Sequence, residues 1–294
     1  MTLILSKDTP EKVAKLLANV KQKIPLVHCI TNRVTMTDCA NGLLAAGAAP
    51  IMSEDLREVE DIVSISSALV LNIGTLMPLQ VESMLAAGKK AKKIGVPIIF
   101  DPVGAGATKL RDTVSKQIIE EVQPDIIRGN MSEIRALYGF SGQTKGVEAA
   151  ATDAVTFENA YEASQLVKEA ALKFNCIVGA TGEVDIISDG KKTYYVANGH
   201  PMLCKITGSG CVLSSLVGGY AGAVGLAEKE KLLDAVVAAF VLSGLAGEMA
   251  HDFVENNKVN QVGLGSFHTK YMNALSSIDE NDFRTKSKIY VYEE

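Results

Sequence analysis

The chain has no tryptophan, and aromatic residues fill only 5% of its 294 positions. Binding nucleic acid by stacking successive bases on aromatic faces is therefore excluded. There is no long basic run, and the formal net charge is −5, which argues against nucleic acids and anionic membranes as partners. A small polyanion remains possible, because a pocket can be locally positive in an acidic protein. The five cysteines, Cys29, Cys39, Cys176, Cys204 and Cys211, form no C-x-x-C pair, and the four histidines are scattered. No zinc site is expected from such spacing. Their odd number fits reduced thiols, which points to a cytoplasmic protein. Met1 to Lys15 holds no basic stretch followed by an apolar one, so no secretory leader is expected there. The Asn130-Met131-Ser132 sequon then carries no expectation of glycosylation.

What is present is apolar: 47% of residues are hydrophobic, ample for a large core. The length allows two ordinary domains or one large α/β domain. No break in composition and no internal repeat divides the chain, so residues 1–294 are expected to form a single domain. Ile206 to Ala227 has no formal charge over a membrane-spanning length. Its glycines and serines favour a buried helix of a soluble core instead. Ala235 to Gly247, bounded by Asp234 and Glu248, is too short to span.

Short apolar strands alternate with helical periods along the chain. Strands are expected at residues 25–30, 68–72, 96–101, 125–128 and 176–180, with helices at residues 9–23, 35–46, 78–93, 131–138 and 157–174. Such alternation predicts an α/β fold with a central, mostly parallel sheet covered by helices on both faces. Asp185–Ser188 and Thr193–Val196, joined by Asp189-Gly190, predict a small antiparallel hairpin. Residues 232–253 and 267–278 read as helices, and residues 288–292 as a terminal edge strand. Residues 141–156 read as a long loop. Asn32, Asn72, Asp101, Arg128 and Thr181 each follow or end a strand. In open α/β sheets ligands collect beyond the carboxyl ends of the strands, so these residues are expected to share one edge.

The stretch that organises this edge is Ile206-Thr207-Gly208-Ser209-Gly210-Cys211, followed by Val212, Leu213, Leu216, Val217 and Tyr220 at helical spacing. The two glycines allow backbone N–H groups to converge at a helix N-terminus, where an anion is favoured. Cys211 would lie in the first turn, where the same field favours a thiolate. A softened loop before a core helix, with Cys211 as a small apolar residue, accounts for the hexapeptide equally well. It matches neither the Walker A nor the dinucleotide pattern.

Other candidates also carry two readings. Asp101, before Pro102-Val103-Gly104, could hold Mg²⁺ or steer a hydroxyl, or simply start a turn. Asn130-Met131-Ser132-Glu133 could form a capping box, an ion site, or both. Arg128 could take a phosphate bidentately, or be an ordinary strand-end arginine. Thr181 could set its hydroxyl against a phosphate, or lie in a turn. Asn32 and Met52 would suit a small heteroaromatic ligand, or serve as a cap and a core residue. His28 and His200 are expected to satisfy local hydrogen bonds.

Taken together, the blocks resemble the hydroxyethylthiazole kinase family. The resemblance rests on Val27-His28-Cys29-Ile30-Thr31-Asn32, Asp38-Cys39-Ala40-Asn41, Pro50-Ile51-Met52, Asn72-Ile73-Gly74-Thr75-Leu76 and Asp101-Pro102-Val103-Gly104-Ala105. It continues through Asn130-Met131-Ser132-Glu133, Gly179-Ala180-Thr181-Gly182, Asn198-Gly199-His200-Pro201 and Thr207-Gly208-Ser209-Gly210-Cys211. The order holds from Pro25 to Phe267.

The resemblance implies a ribokinase-like fold and transfer of the ATP γ-phosphate to 4-methyl-5-(2-hydroxyethyl)thiazole, giving a product for thiamine phosphate synthesis. It implies that Asn32, Met52 and Gly208 face the thiazole and that Arg128 and Thr181 bind ATP. Asp101 and Glu133 would organise Mg²⁺, with Asn130 beside the nucleotide and metal. Cys211 would be the base, where many ribokinase-like relatives have aspartate; for such a transfer the chemistry of the loop itself predicts that the Gly208 and Gly210 N–H groups hold the transferred phosphoryl group. It further implies a homotrimer with sites between subunits. Arg33, after the pocket asparagine, is outside the pattern. The alternatives are a kinase of the hydroxymethylpyrimidine type, a nucleotide- or thiazole-binding protein without turnover, and a cysteine-nucleophile hydrolase.

Overall fold

The computed structural model describes residues 3–139, 155–257 and 263–292. Most of the expected Ser141–Thr156 loop lies outside the described residues.

The parallel half of the sheet comes from β2 (Leu26–Ile30), β3 (Ala49–Ile51), β4 (Ala68–Asn72), β5 (Ile98–Asp101), β6 (Ile126–Asn130) and β7 (Ile177–Thr181). Between them run α2 (Met36–Ala46), α3 (Val59–Ile65), α4 (Pro78–Ile94), α5 (Lys109–Glu121), and the pair α6 (Met131–Gly139) and α7 (Ala160–Phe174). The helix α1 (Thr9–Lys23) precedes β2. Strands β8 (Asp185–Ser188) and β9 (Thr193–Val196) form the expected hairpin around Gly190, whose φ is +86°. It is not a separate sheet, because β8 pairs antiparallel with β7. After it come α8 (Ser209–Val224), α9 (Lys229–Asn256), α10 (Leu264–Ser277), α11 (Glu280–Lys286) and β10 (Ile289–Tyr292). With β1 (Leu3–Leu5) they complete one ten-stranded sheet in the order β1-β10-β9-β8-β7-β6-β5-β4-β2-β3.

Residues 289–292 are not an edge strand, because β1 pairs antiparallel outside them, with Leu3 opposite Tyr292. Three apolar residues are too few to show a strand period, so β1 escapes a sequence reading. The charged helix α5 escapes for a related reason: only Val114, Ser115 and Ile118 of its thirteen residues are buried.

Alternation along the strands divides the core into two layers. Val27, Cys29, Val70, Ile99 and Ile126 face α1, α2, α8, α9 and α10. Leu69, Leu71, Ile98, Phe100 and Ile127 face α3 through α7. Both faces are buried, which is why these strands read as continuous apolar runs. The uncharged stretch around Cys211 is a core helix as expected, with Val212 to Ala221 buried throughout. Helix α9 runs longer than expected and its length and hydropathy would suffice to cross a membrane, yet most of it is buried inside the fold.

Close approach of α8 to the sheet depends on Gly218. A Cβ there would meet Val70 Cγ2 at 2.6 Å and Val27 Cγ1 at 3.0 Å. Because both contacts are stiff, buried strand side chains, Gly218→Ala is expected to cost about 1–3 kcal/mol through overpacking. Chemical denaturation checks this; an unchanged midpoint would show that α8 can lift from the sheet without penalty.

Candidate active site

The parallel strands deliver their polar ends to one edge, as the sequence order predicts. Asn72 lies opposite Asp101 in the β4–β5 register, and Asn130 opposite Thr181 in the β6–β7 register. Asn32 follows β2, and the first turn of α8 lies against the same edge.

Three buried side chains are joined in series. Asn32 Nδ2 donates to Asn72 Oδ1 at 3.1 Å, and Asn72 Nδ2 donates to Asp101 Oδ2 at 2.7 Å. Ser214 Oγ donates to the same Asp101 oxygen at 2.7 Å. Asp101 Oδ1 is buried and has no hydrogen-bond partner among the described residues. Burial pushes the Asp101 carboxyl up to about 6, against the pull of the nearby Arg128 guanidinium. A desolvated carboxylate with one oxygen anchored and the other free is well suited to a cation or a polarised hydroxyl.

Asn32 is less available for a ligand. Its Oδ1 accepts from Thr35 N–H and Oγ1, and its Nδ2 reaches Cys211 Sγ at 3.1 Å as well as Asn72. Those four bonds use the whole hydrogen-bonding capacity of an asparagine amide. It therefore contributes its position and surface rather than a free polar atom.

Arg128 and Thr181 meet as a pair: Arg128 Nη2 donates to Thr181 Oγ1 at 3.0 Å. Arg128 Nη1 stands 3.9 Å from Asp101 Oδ2, and Arg128 Nε is buried without a partner among the described residues. The guanidinium also presses against the start of α8, where a Cβ on Gly210 would come within 2.8 Å of Nη1. Gly210 thus makes room for a cation beside a helix N-terminus. Gly208, with φ +86°, caps α8 without a side-chain hydrogen bond, and a Cβ on it would strike Thr35 Cγ2 at 2.6 Å. The first N–H groups of α8 have no intrahelical acceptor. Together with Arg128 they make a locally positive point in an acidic protein.

Cys211 differs from the expectation of a helix-stabilised thiolate. Burial first, and then the neighbouring Asp101, push its thiol upward, and contacts with Thr35, Asn72 and Asn32 only partly offset them. Sγ accepts from Asn32 Nδ2 and, at 3.3 Å, from Asn72 Nδ2. Desolvation beats the helix field here because the first turn of α8 is enclosed by the sheet edge.

Glu133 forms the expected capping box: its Oε2 accepts from Asn130 N–H, and Asn130 Oδ1 accepts from Glu133 N–H. Its Oε1 accepts from Gly104 N–H at 2.8 Å, which ties the Asp101–Gly106 loop to α6. Both oxygens are engaged once, leaving lone pairs for a hydrated ion. Met52 is half-buried, packed on the α8 side of the core. Arg33 points outward and pairs with Glu54 at 2.7 Å. His200 Nδ1 accepts from Met202 N–H, a local bond as expected, whereas His28 bonds the Ser53 carbonyl through Nε2 and its buried Nδ1 has no partner among the described residues. Among the described residues no group of three or more His, Cys, Asp or Glu side chains could hold a metal on its own.

Ser214 is the site residue that sequence reading missed. Its signal was a hydroxyl three positions after Cys211 in a largely apolar helix, hence on the same face.

The fold is ribokinase-like. It matches a ribokinase-like superfamily protein from Enterococcus faecalis V583 with a TM-score of 0.58 over 94% of this chain and 96% of that one, at 13% identity. The sequence model described as the Hydroxyethylthiazole kinase family matches residues 17–281, and the chain belongs to that family. It is 46% identical to a hydroxyethylthiazole kinase from Clostridium botulinum (strain Eklund 17B / Type B), covering 95% of this chain and 96% of the relative. The structure of the hydroxyethylthiazole kinase protein from Pyrococcus horikoshii OT3 is 38% identical, with a TM-score of 0.82 over 95% and 99% of the two chains.

Proposed function

We propose that this chain phosphorylates the hydroxyethyl group of 4-methyl-5-(2-hydroxyethyl)thiazole with ATP, supplying thiazole phosphate for thiamine phosphate synthesis. The observation that carries the reading is the strand-end cluster: a carboxylate with one free buried oxygen, an arginine, and a helix N-terminus without a side-chain cap within one edge. Phosphoryl transfer asks for these three things, namely positioning, a place for cationic help, and donors for the transferred group.

Arg128 and Thr181 are the residues that bind the nucleotide phosphates, and Arg128 Nε and Nη1 are the donors not already spent on Thr181. The N–H groups of the Gly208–Gly210 turn hold the γ-phosphoryl oxygens as charge develops. Asn32, Met52 and Gly208 shape the thiazole pocket, while Cys211 receives or orients the proton of the attacking hydroxyl. Mg²⁺ would neutralise phosphate charge, and the free Oδ1 of Asp101 with Glu133 fits it, since Mg²⁺ needs only one or two carboxylates beside waters and phosphates. Asn130 holds Glu133 in place for that task.

The chain acts as a single kinase domain, a reading supported by the one continuous sheet of the described residues, and works in the cytoplasm. It works as a homotrimer with sites between subunits. Support comes from exposed Val34 and Met77, on the loops that follow β2 and β4, and Leu79 in the first turn of α4.

The test is ADP release from purified protein with ATP, Mg²⁺ and the thiazole alcohol, with and without the alcohol. Alcohol-dependent ADP and a phosphorylated thiazole are expected. Faster turnover of a hydroxymethylpyrimidine in a substrate panel would reassign the alcohol. ATP binding without any turnover would leave a binding protein.

A further inference from the structure

Asn72 spends every hydrogen bond it can make, and each goes to a different part of the site. Its Oδ1 accepts from Asn32 Nδ2 at 3.1 Å and from Gly74 N–H at 2.9 Å. Its Nδ2 donates to Asp101 Oδ2 at 2.7 Å and to Cys211 Sγ at 3.3 Å. The orientation of the amide is forced. A backbone N–H such as that of Gly74 can only donate, and an ionised Asp101 can only accept. The oxygen must therefore face Gly74, and the NH₂ must face Asp101 and the sulfur. Thr35 N–H fixes Asn32 in the same way, so its NH₂ must face Asn72 and Cys211. The residue is 1% exposed, which leaves no water to substitute for a lost bond.

We infer that Asn72 is the positioning residue of the reaction: one planar amide fixes the separation between the Asp101 carboxylate and the Cys211 sulfur. It touches neither nucleotide nor alcohol and acts through those two groups. The consequence is geometric. By occupying Asp101 Oδ2 it turns Oδ1 toward the ligand side, and by donating to Sγ together with Asn32 it leaves the sulfur's remaining face toward the attacking hydroxyl. Ser214, from α8, clamps the same carboxylate oxygen from the other side. A strand end, a helix start and a second strand end are thereby locked in register by side chains alone.

This inference rests on the kinase reading and on a role for Cys211, so its test needs a readout independent of turnover. Asn72→Asp keeps the size and the acceptor oxygen but replaces the NH₂ with a second acceptor. Asn72→Ala removes all four bonds without adding charge and serves if the aspartate disturbs folding, which thermal unfolding reports. Both are made in a Cys204→Ala background, since Cys204 is the exposed cysteine and Cys29, Cys39 and Cys176 are buried. Two quantities are read: the kcat and KM values, and the rate at which iodoacetamide alkylates Cys211 at pH 8.

Displacement of reacting groups by about 1 Å can cost 10²-fold. A kcat lower by about 100-fold, KM values for ATP and alcohol within about threefold, and a several-fold change in Cys211 alkylation are expected. Adding Cys211→Ser should then cost less than the product of the two single effects, because the residues act as one unit. Unchanged alkylation and kcat in either folded variant would overturn the inference. A kinase that fails on the thiazole yet shows altered alkylation would sink the functional reading and leave Asn72 as the residue that positions Cys211.

Discussion

Asp101→Asn should all but stop turnover while making the metal-free protein more stable. The activity half follows from the free Oδ1, which the substitution replaces by an NH₂ or a neutral carbonyl. Loss of such a preorganised charge is worth about 10²- to 10³-fold. The stability half follows from burial. The ordinary Asp value is 3.8, and burial raises this one to about 6. A folded-state value above the unfolded one means the native protein binds the extra proton between those limits. Stability therefore falls as pH rises through that window, and the full cost, about 3 kcal/mol, persists above it. Arg128 opposes this, but at 3.9 Å it is not hydrogen-bonded to the carboxylate and keeps its bond to Thr181. Asparagine can still accept from Asn72 and Ser214 through its oxygen. Unfolding in chelator should show the variant ahead at pH 8 and level with the parent near pH 4. A variant less stable at pH 8 would mean that the lost Arg128 attraction outweighs desolvation.

That trade explains which parts of the site were legible. Asn32, Asn72, Asp101, Arg128 and Thr181 could be placed on one edge because each ends an apolar run, and parallel strands bring such ends together. The helix at Gly208 was legible from glycine and spacing. The resting state of Cys211 was not, because a helix N-terminus and a buried surrounding shift a thiol in opposite directions, and only packing decides between them. Asn32 read as a pocket amide, but its partners Asn72 and Cys211 are close only in space, so the sequence could not show that its NH₂ was already committed. Glu133 was read both as a cap and as an ion ligand. The cap is seen in Asn130 and Gly104, and it leaves the carboxylate aimed by two backbone N–H groups. Strand β1 was lost to its length, and with it the correct edge of the sheet.

Replacing Cys211 with serine is expected to lower kcat by about 10²- to 10⁴-fold while leaving the ATP KM within about threefold, since Arg128 and Thr181 are untouched. Serine preserves the two amide donors from Asn32 and Asn72 but offers an oxygen that is far harder to deprotonate than sulfur. The parent enzyme carries its own signature of the same chemistry. Burial raises the Cys211 thiol above its ordinary 9, so the fraction able to accept a proton is small at neutral pH and grows as pH rises. The log of kcat should climb between about pH 7 and 9 in the parent, and this slope should vanish in Cys211→Ser. A flat parent profile with a slow serine variant would assign Cys211 to holding the alcohol in line, through the sulfur that Asn32 and Asn72 keep fixed. Equal turnover in the two proteins would remove Cys211 from the reaction and transfer proton acceptance to Asp101 or to the departing phosphate itself.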